Sequence, residues 1–339
     1  MVGVTADVTS ITGLTGGAKW FGGVLGPNGK IYGIPYSSES VLIIDPVAQT
    51  ADITTITGLS GTYKWCGGVL GPDGKIYGIP WSSGSVLIID PVAKTADTTT
   101  ITGLGAGGQK WAGGVLAPDG LIYGIPCYSE SVLIIDPVAQ TADTTTITGL
   151  GAGQKWYGGV LGPDGKIYGI PFESGSVLII DPVAKTADTT TISGVGKLSW
   201  EGGVLGPDGK IYGIPWSSGS VLIIDPVAKT ADTTTITGLG AGGQKWGWGV
   251  LGPDGKIYGI PYSSGSVLII DPKTKTADTL PMGGMIGGGH WLGSVLGPDK
   301  RIYGIPFYSE SVLILSGFST SPSRRRRAAW MSLERPAFF

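Results

Sequence analysis

Cysteine and histidine are scarce in this chain. Its 339 residues include two cysteines, Cys66 and Cys127, and one histidine, His290. Two cysteines cannot build a disulfide framework, and a single histidine supplies neither the ligands of a zinc site nor a catalytic triad. The sequence therefore predicts no metal site and no cofactor. It favours two free thiols and an intracellular location.

Charged residues and long apolar runs are also scarce. Asp, Glu, Lys and Arg make up 14% of the residues, and the formal net charge is -2. This balance gives no reason to expect a nucleic-acid partner. No apolar run approaches the ~18 residues of a membrane helix, and the first residues lack the regions of a secretory signal. We expect no membrane partner.

Glycine and proline are abundant, with 61 and 23 residues. Such a composition occurs in disordered segments, but a hydrophobic content of 41% favours a folded chain. Glycine does not recur at every third position, which excludes a collagen helix.

Seven near-copies of one unit occupy most of the chain. The motif Ile-Tyr-Gly-Ile-Pro occurs seven times, and the stretch 67–111 is identical to the stretch 202–246. A tryptophan precedes each motif at a regular spacing of 44 to 46 residues: Trp20, Trp65, Trp111, Trp156, Trp200, Trp246 and Trp291. Their period follows the repeat, so we expect these tryptophans in the core.

Each copy contains four short runs typical of β-strands. In the second copy they are 64–70, 75–80, 85–89 and 98–102, rich in Val, Ile, Tyr and Thr. Pro72-Asp73-Gly74 is typical of a tight turn between the first two runs. Antiparallel four-stranded units repeated every 40–50 residues or so are typical of propeller blades. The sequence predicts an all-β, seven-bladed β-propeller with four antiparallel strands in each blade.

The two ends of the repeat region complement each other. The seventh copy stops after its third strand at Leu315, whereas residues 5–14 match the fourth-strand region 95–104. We therefore expect the N-terminal strand, within 1–14, to close the last blade of a single domain over 1–316. Residues 317–339, with the run Arg324 to Arg327, are expected to form a basic, flexible tail.

Two short motifs resemble known propeller repeats. The stretch 86–95, Val-Leu-Ile-Ile-Asp-Pro-Val-Ala-Lys-Thr, resembles YVTN-type repeats. Trp followed after one residue by Gly-Gly-Val-Leu-Gly-Pro-Asp-Gly-Lys-Ile-Tyr-Gly is similar to the repeat of tachylectin-type sugar-binding propellers. Both resemblances imply a propeller. The tachylectin type has fewer blades, so none of its sugar-site residues is carried over.

The copies differ mainly at three positions that antiparallel geometry places on one rim of the disk. The first follows the strand A tryptophan: Phe21, Cys66, Ala112, Tyr157, Glu201, Gly247 and Leu292. The second follows the proline of the motif: Tyr36, Trp81, Cys127, Phe172, Trp216, Tyr262 and Phe307. The third lies one or three residues further on, where Glu173, Tyr128 and Tyr308 replace Ser and Glu39, Glu130 and Glu310 replace Gly. Variation on one face of a uniform scaffold is typical of a binding surface. Neutral drift at exposed loops is the alternative.

The second position is aromatic in six of the seven copies, which predicts an exposed aromatic ring that contacts a ligand. The alternative is that these side chains pack between blades. Trp248 replaces a glycine found in the other copies and is expected to plug or line the central opening. The predicted ligand-binding residues are Tyr36, Trp81, Phe172, Trp216, Tyr262, Phe307, Tyr157, Glu201 and Trp248.

Catalysis has one weak candidate. Glu173 and Glu201 lie near the same rim in adjacent copies and would suit acid–base work on a glycoside. The alternative is that both are solvated surface carboxylates. The five lysines that precede a strand A tryptophan add positive charge to this rim: Lys19, Lys64, Lys110, Lys155 and Lys245.

These observations favour a non-enzymatic, monomeric binding or scaffold propeller that engages a protein or peptide. A lectin that stacks rim Trp and Tyr on sugar rings is the first alternative. A hydrolase or lyase that uses Glu173 and Glu201 is the second.

Overall fold

Seven four-stranded antiparallel sheets make up the structure, a computed structural model that describes residues 3–105, 107–197, 199–283 and 289–319. Each sheet is one blade of a seven-bladed β-propeller, and no helix occurs among the described residues. The predicted fold is confirmed. Residues 324–327, the arginine run, lie outside the described residues.

Strands A to D run outward from the central axis in chain order. Strand A of blades 1 to 7 is β2 (Trp20–Leu25), β6 (Trp65–Leu70), β10 (Trp111–Leu116), β14 (Trp156–Leu161), β18 (Trp200–Leu205), β22 (Trp246–Leu251) and β26 (Trp291–Leu296). Strand B is β3 (Ile31–Pro35), β7 (Ile76–Pro80), β11 (Ile122–Pro126), β15 (Ile167–Pro171), β19 (Ile211–Pro215), β23 (Ile257–Pro261) and β27 (Ile302–Pro306). Strand C is β4 (Leu42–Asp45), β8 (Leu87–Asp90), β12 (Leu133–Asp136), β16 (Leu178–Asp181), β20 (Leu222–Asp225), β24 (Ser266–Asp271) and β28 (Leu313–Ser316). Strand D of blades 1 to 6 is β5 (Thr50–Asp52), β9 (Thr95–Asp97), β13 (Thr141–Asp143), β17 (Thr186–Asp188), β21 (Thr230–Asp232) and β25 (Thr276–Pro281).

The last blade is closed by the N-terminal strand, as predicted. β1 (Thr5–Asp7) is its strand D and pairs antiparallel with β28, with Thr5 opposite Ser316 and Asp7 opposite Ile314. The closure joins the two ends of the repeat region, so every blade has four strands. The outer edges left to solvent are short, which limits pairing with other chains.

The outer strand lies earlier in the repeat than predicted. In the second copy strand D is Thr95–Asp97, whereas the sequence predicted a strand over 98–102. The Asp97 carboxylate accepts hydrogen bonds from the backbone N–H of Thr99 at 2.7 Å and of Thr100 at 3.2 Å. These local hydrogen bonds replace pairing with the sheet for the threonine run. The β-propensity of threonine alone does not predict this outcome.

The core lies between neighbouring blades. Trp65 packs with Tyr32 and Ile34 of the preceding blade and with Leu87 and Ile89 of its own. Its indole N–H donates to the Ser85 carbonyl at 2.8 Å, so the one polar atom of the side chain is satisfied. All seven strand A tryptophans are buried, with 0–3% of their surface exposed, as the repeat predicted.

A β-bulge in each strand A separates the core tryptophan from the next residue. In β6 the register with β7 shifts between Trp65 and Gly68, and Gly67 has a φ of +75°. A residue other than glycine is strained at this φ. The bulge leaves Trp65 between the blades, while Cys66 joins a separate cluster near the axis.

Candidate functional site

The first two variable positions of the repeat meet on the central axis. Strand A residues and the residues after strand B pack into one group of side chains, which we call the axial cluster. Its members are Phe21, Cys66, Ala112, Tyr157, Leu292, Tyr36, Trp81, Cys127, Phe172, Trp216, Tyr262, Phe307 and Trp248. The sequence placed these positions at one end of the disk, and the structure brings them together there.

The six aromatic residues after strand B are less exposed than an outer ring would be. Trp81 and Phe307 are buried, with 5% and 6% of their surface exposed, and the other four are half-buried. The rings touch their neighbours: the centroids of Trp216 and Tyr262 are 4.7 Å apart. The ring is thus more buried than the sequence predicted, although all six side chains line a depression at this end of the disk. These rings pack on one another across the blades.

An open depression of about 400 Å³ lies over the axial cluster. Its lining combines aromatic rings from several blades with the amide side chains of Gln109, Gln154 and Gln244 and the carboxyl group of Glu201. Gln109 and Gln244 are exposed, so the amides are open to solvent while the rings lie deeper. The sequence analysis missed the three glutamines, although each precedes a lysine and tryptophan of the repeat.

Glu201 is the one acidic or basic residue among Asp, Glu, Lys and Arg in the lining of this depression. Only 3% of its surface is exposed, and this burial raises the pKa of its carboxyl group to about 8. The Trp248 indole N–H lies beside the carboxyl group and partly offsets the rise in pKa, although the contact falls short of ordinary hydrogen-bond geometry. Below pH 8 the group is mainly a neutral acid, so it is not a solvated surface carboxylate.

Trp248 closes the centre of the ring. Its φ of +60° matches the position that is glycine in the other six copies, with φ between +72° and +87°. The indole reaches across the axis: a Cβ atom added to Gly113 would lie 2.5 Å from Cη2 of Trp248. Because the facing glycines have no side chains, a single indole fits between them. The ring of Phe21 packs edge-on to it at 6.3 Å.

Glu173 does not join Glu201. It is exposed and lies outside the lining of the depression. The structure therefore does not assemble the pair of carboxylates that the sequence offered for glycoside chemistry.

The five rim lysines are held by the scaffold. Lys19 and Lys64 have 4% and 5% of their surface exposed, and each ammonium group donates to two backbone carbonyls. Burial lowers the pKa of both to about 8, partly offset by Glu310 and Glu39 respectively. Each ammonium also lies 5.7–5.9 Å from the ring centre of the adjacent tryptophan. None of the five lines the depression.

Both cysteines are free and buried. Cys66 Sγ lies 4.0 Å from the Tyr157 hydroxyl, and burial raises the pKa of both thiols, that of Cys127 to about 12. Within the described ranges, no three His, Cys, Asp or Glu side chains are grouped to hold a metal ion. No helix of the described residues could cross a membrane.

Comparison with known proteins supports the fold. No protein-family model matches the chain, and no curated protein matches its sequence. A catalytically inactive virginiamycin B lyase from Staphylococcus aureus, solved with quinupristin, superimposes with a TM-score of 0.76 over 93% of this chain and 100% of its own, at 11% identity. The extracellular domain of a putative one-component system from B. thetaiotaomicron gives a TM-score of 0.65 at 12% identity, over 90% of this chain and 42% of its own.

Hydrazine synthase from Kuenenia stuttgartiensis gives a TM-score of 0.68 at 18% identity, over 90% of this chain and 97% of its own. At such identities the similarity shows the fold alone. The chain is a β-propeller whose structural neighbours include a lyase and the extracellular domain of a putative one-component system.

Proposed function

We propose that this propeller is a non-enzymatic binding or scaffold module that captures a projecting group of a peptide or protein in the axial depression. The observation that carries the proposal is the convergence of the variable positions. Near-identical blades differ where their side chains meet on the axis, whereas their turns at the opposite end are nearly uniform.

The size and lining of the depression suit such a group. A volume of about 400 Å³ lies within the range of ligand pockets, roughly 300–1,000 Å³. Large aromatic side chains with a few polar groups are typical of the anchoring points of protein interfaces. The depression is too small for a folded partner, so the partner would insert a side chain or a chain end.

A lectin is the second candidate, and the three glutamines favour it. Sugar recognition combines aromatic faces with hydrogen-bonding groups at the mouth of a site, and Gln109 and Gln244 are exposed there. Against it, the rings also pack on one another: those of Trp216 and Tyr262 are tilted by 47° with their centroids 4.7 Å apart. This packing takes up part of the aromatic surface on which a sugar ring would stack.

Catalysis has less support. Glu201 has the raised pKa of a general acid, but the exposed Glu173 is not placed to act with it. The lyase among the structural neighbours shares 11% identity, which shows only the fold.

Selection from a random peptide library, run beside a glycan array, tests the proposal. We expect peptides to be enriched, and Trp216→Ser to reduce their binding at least tenfold. The matched control is Lys210→Ser, in the same blade at the opposite end. Binding that depends on Lys210 but not on Trp216 would contradict the proposal, and enrichment of glycans alone would favour the lectin.

A further inference from the structure

We infer that the axial depression binds an organic ammonium group, with Glu201 as its counter-charge and the surrounding rings as an aromatic cage. The inference rests on the proposed function and names the chemistry of the inserted group. A peptide side chain such as methylated lysine and a free amine such as choline share this chemistry.

Glu201 brings a carboxyl group to the depression. The residue is almost fully buried, yet it is part of the lining. Among the residues that the structure describes, no lysine or arginine forms an ion pair with it. Burying a carboxyl group without a cation is costly, and a bound cation would offset that cost.

Aromatic side chains surround the depression. Aromatic faces attract cations within about 6 Å of the ring centre, and cages of several rings are typical of quaternary ammonium sites. The rings of Phe21, Tyr157 and Trp216 line the depression together with Glu201. An uncharged apolar ligand would fit the rings but would leave the carboxyl group unused.

The nearby lysines do not remove the preference of the depression for a cation. The ammonium groups of Lys19 and Lys64 are bound to backbone carbonyls outside the lining. Glu201 is not among the charges that shift the pKa of any of the five rim lysines. The lysines therefore act at a distance, whereas Glu201 contacts the depression.

Titration of Glu201 should govern the binding. The other titratable groups that face it have pKa values raised by burial, so they stay neutral between pH 6 and 8; they are Tyr36, Cys66, Cys127, Tyr157 and Tyr262. A cation binds the ionised form of Glu201, whose pKa without ligand is about 8. Affinity should therefore rise roughly tenfold per unit of pH up to about pH 8 and then level off, with proton release on binding.

Calorimetry with three probes tests the inference on the intact chain. The probes are choline, a peptide containing trimethyllysine, and 3,3-dimethylbutan-1-ol, a neutral compound with the shape of choline. We expect at least one cation to bind ten times or more as tightly as the neutral compound at pH 8. Glu201→Gln should bring that ratio close to one, whereas Glu173→Gln, the matched exposed carboxylate, should leave it unchanged.

The comparison of charged and neutral probes uses the wild-type chain, so it tests the inference even if a variant misfolds. Tighter binding of the peptide than of choline identifies a protein side chain as the ligand, and the reverse identifies a small amine. Equal binding of choline and its neutral counterpart, no cation binding at all, or a preference for cations that survives Glu201→Gln would overturn the inference. If library peptides without a cationic group bind and their binding is lost in Trp216→Ser, the proposed function holds and the ammonium site does not.

Discussion

A single lysine tests the backbone conformation of the A–B turn. Lys300 has a φ of +64°, where Gly255 has +81° in the preceding blade. A residue other than glycine in the left-handed region costs about 1 kcal/mol. Lys300→Gly should therefore raise the free energy of unfolding by about 1 kcal/mol in chemical denaturation. The reverse control, Gly255→Lys, has free space around it and should lower that free energy by a similar amount. A loss of stability with Lys300→Gly would show that the side chain of Lys300 contributes more than the strain costs.

The buried acid gives stability a defined dependence on pH. Burial raises the pKa of Glu201 to about 8 from the ordinary value of 4.5. Between these values the folded chain keeps a proton that the unfolded chain has lost. The free energy of unfolding should therefore fall as pH rises through this window, by roughly 1.4 kcal/mol per unit, and level off above pH 8.

Denaturation of the wild type and of Glu201→Gln at pH 5, 6, 7 and 8 measures this contribution. The difference between the two chains should grow with pH, because the amide does not ionise. The buried lysines act in a different window: the pKa of Lys19 is lowered to about 8, so their effect on stability falls between that value and 10.5. A difference that stays constant from pH 5 to 8 would mean that Glu201 titrates normally.

Trp81 and Trp216 lie in two stretches of identical sequence, 67–111 and 202–246, but occupy different environments. Trp81 is 5% exposed and packs against Tyr157 at 5.4 Å, whereas Trp216 is half-buried beside Tyr262. Trp81→Ser should therefore cost about 3–5 kcal/mol of stability, the range for large buried side chains. Trp216→Ser should cost less than half of that. Equal costs in chemical denaturation would show that the axial neighbours do not control the stability of this ring.

At the scale of elements, the blades are joined by repeated contacts at the end opposite the depression. The ammonium group of Lys185, in the turn after strand C of blade 4, lies 2.7 Å from the Asp119 carboxylate of blade 3. Asp119 also accepts a hydrogen bond from Tyr123 at 2.7 Å. The same arrangement joins Lys229 to Asp164 at 2.7 Å. Between blades 1 and 2 the carboxylate is missing, because Asn28 occupies its place.

Restoring the acid at that position should add the ion pair. Asn28 and Lys94 line the same cavity, and they occupy the positions that Asp119 and Lys185 hold between blades 3 and 4, so Asn28→Asp would supply the missing carboxylate. Partly exposed pairs of this kind contribute about 0.2–1 kcal/mol, less at high salt. We expect a gain of that size in the free energy of unfolding. In the background of Lys94→Gln the gain should vanish, and a gain that persists there would assign it to another cause.

The strands and turns could be predicted because the same strand-forming and turn-forming residues recur in each copy. Gly74 adopts the left-handed φ of +78° that its turn required, and Trp65 is in the core. The outer strand was misplaced because Asp97 binds the following threonines. Such local hydrogen bonds depend on side-chain geometry, and the pattern of hydrophobic residues in the sequence does not predict them.

At the scale of the whole molecule, the sequence placed the variable positions together at one end of the disk but did not reveal how deeply they are buried. Residue order places Glu201 and Trp216 at the same end of the disk. Their distance from the axis depends on how seven blades close and on the bulge after each strand A tryptophan. The burial of Glu201 follows from side chains of several blades meeting at once. It could not be deduced from one repeat.

Closure of the ring is the property that makes seven copies one domain. Strand β1 pairs with β28, and Ile11 and Leu14 are 3% and 4% exposed in the last blade. Deleting residues 1–14 would expose both the edge of β28 and that core, so the truncated chain should aggregate or melt without cooperativity. A synthetic peptide of residues 3–14, added in trans, should restore a monomer and a cooperative melt, because it can supply the missing strand; a scrambled peptide should not. A truncated chain that stays monomeric and melts as the full chain does would show that the ring holds without its N-terminal strand.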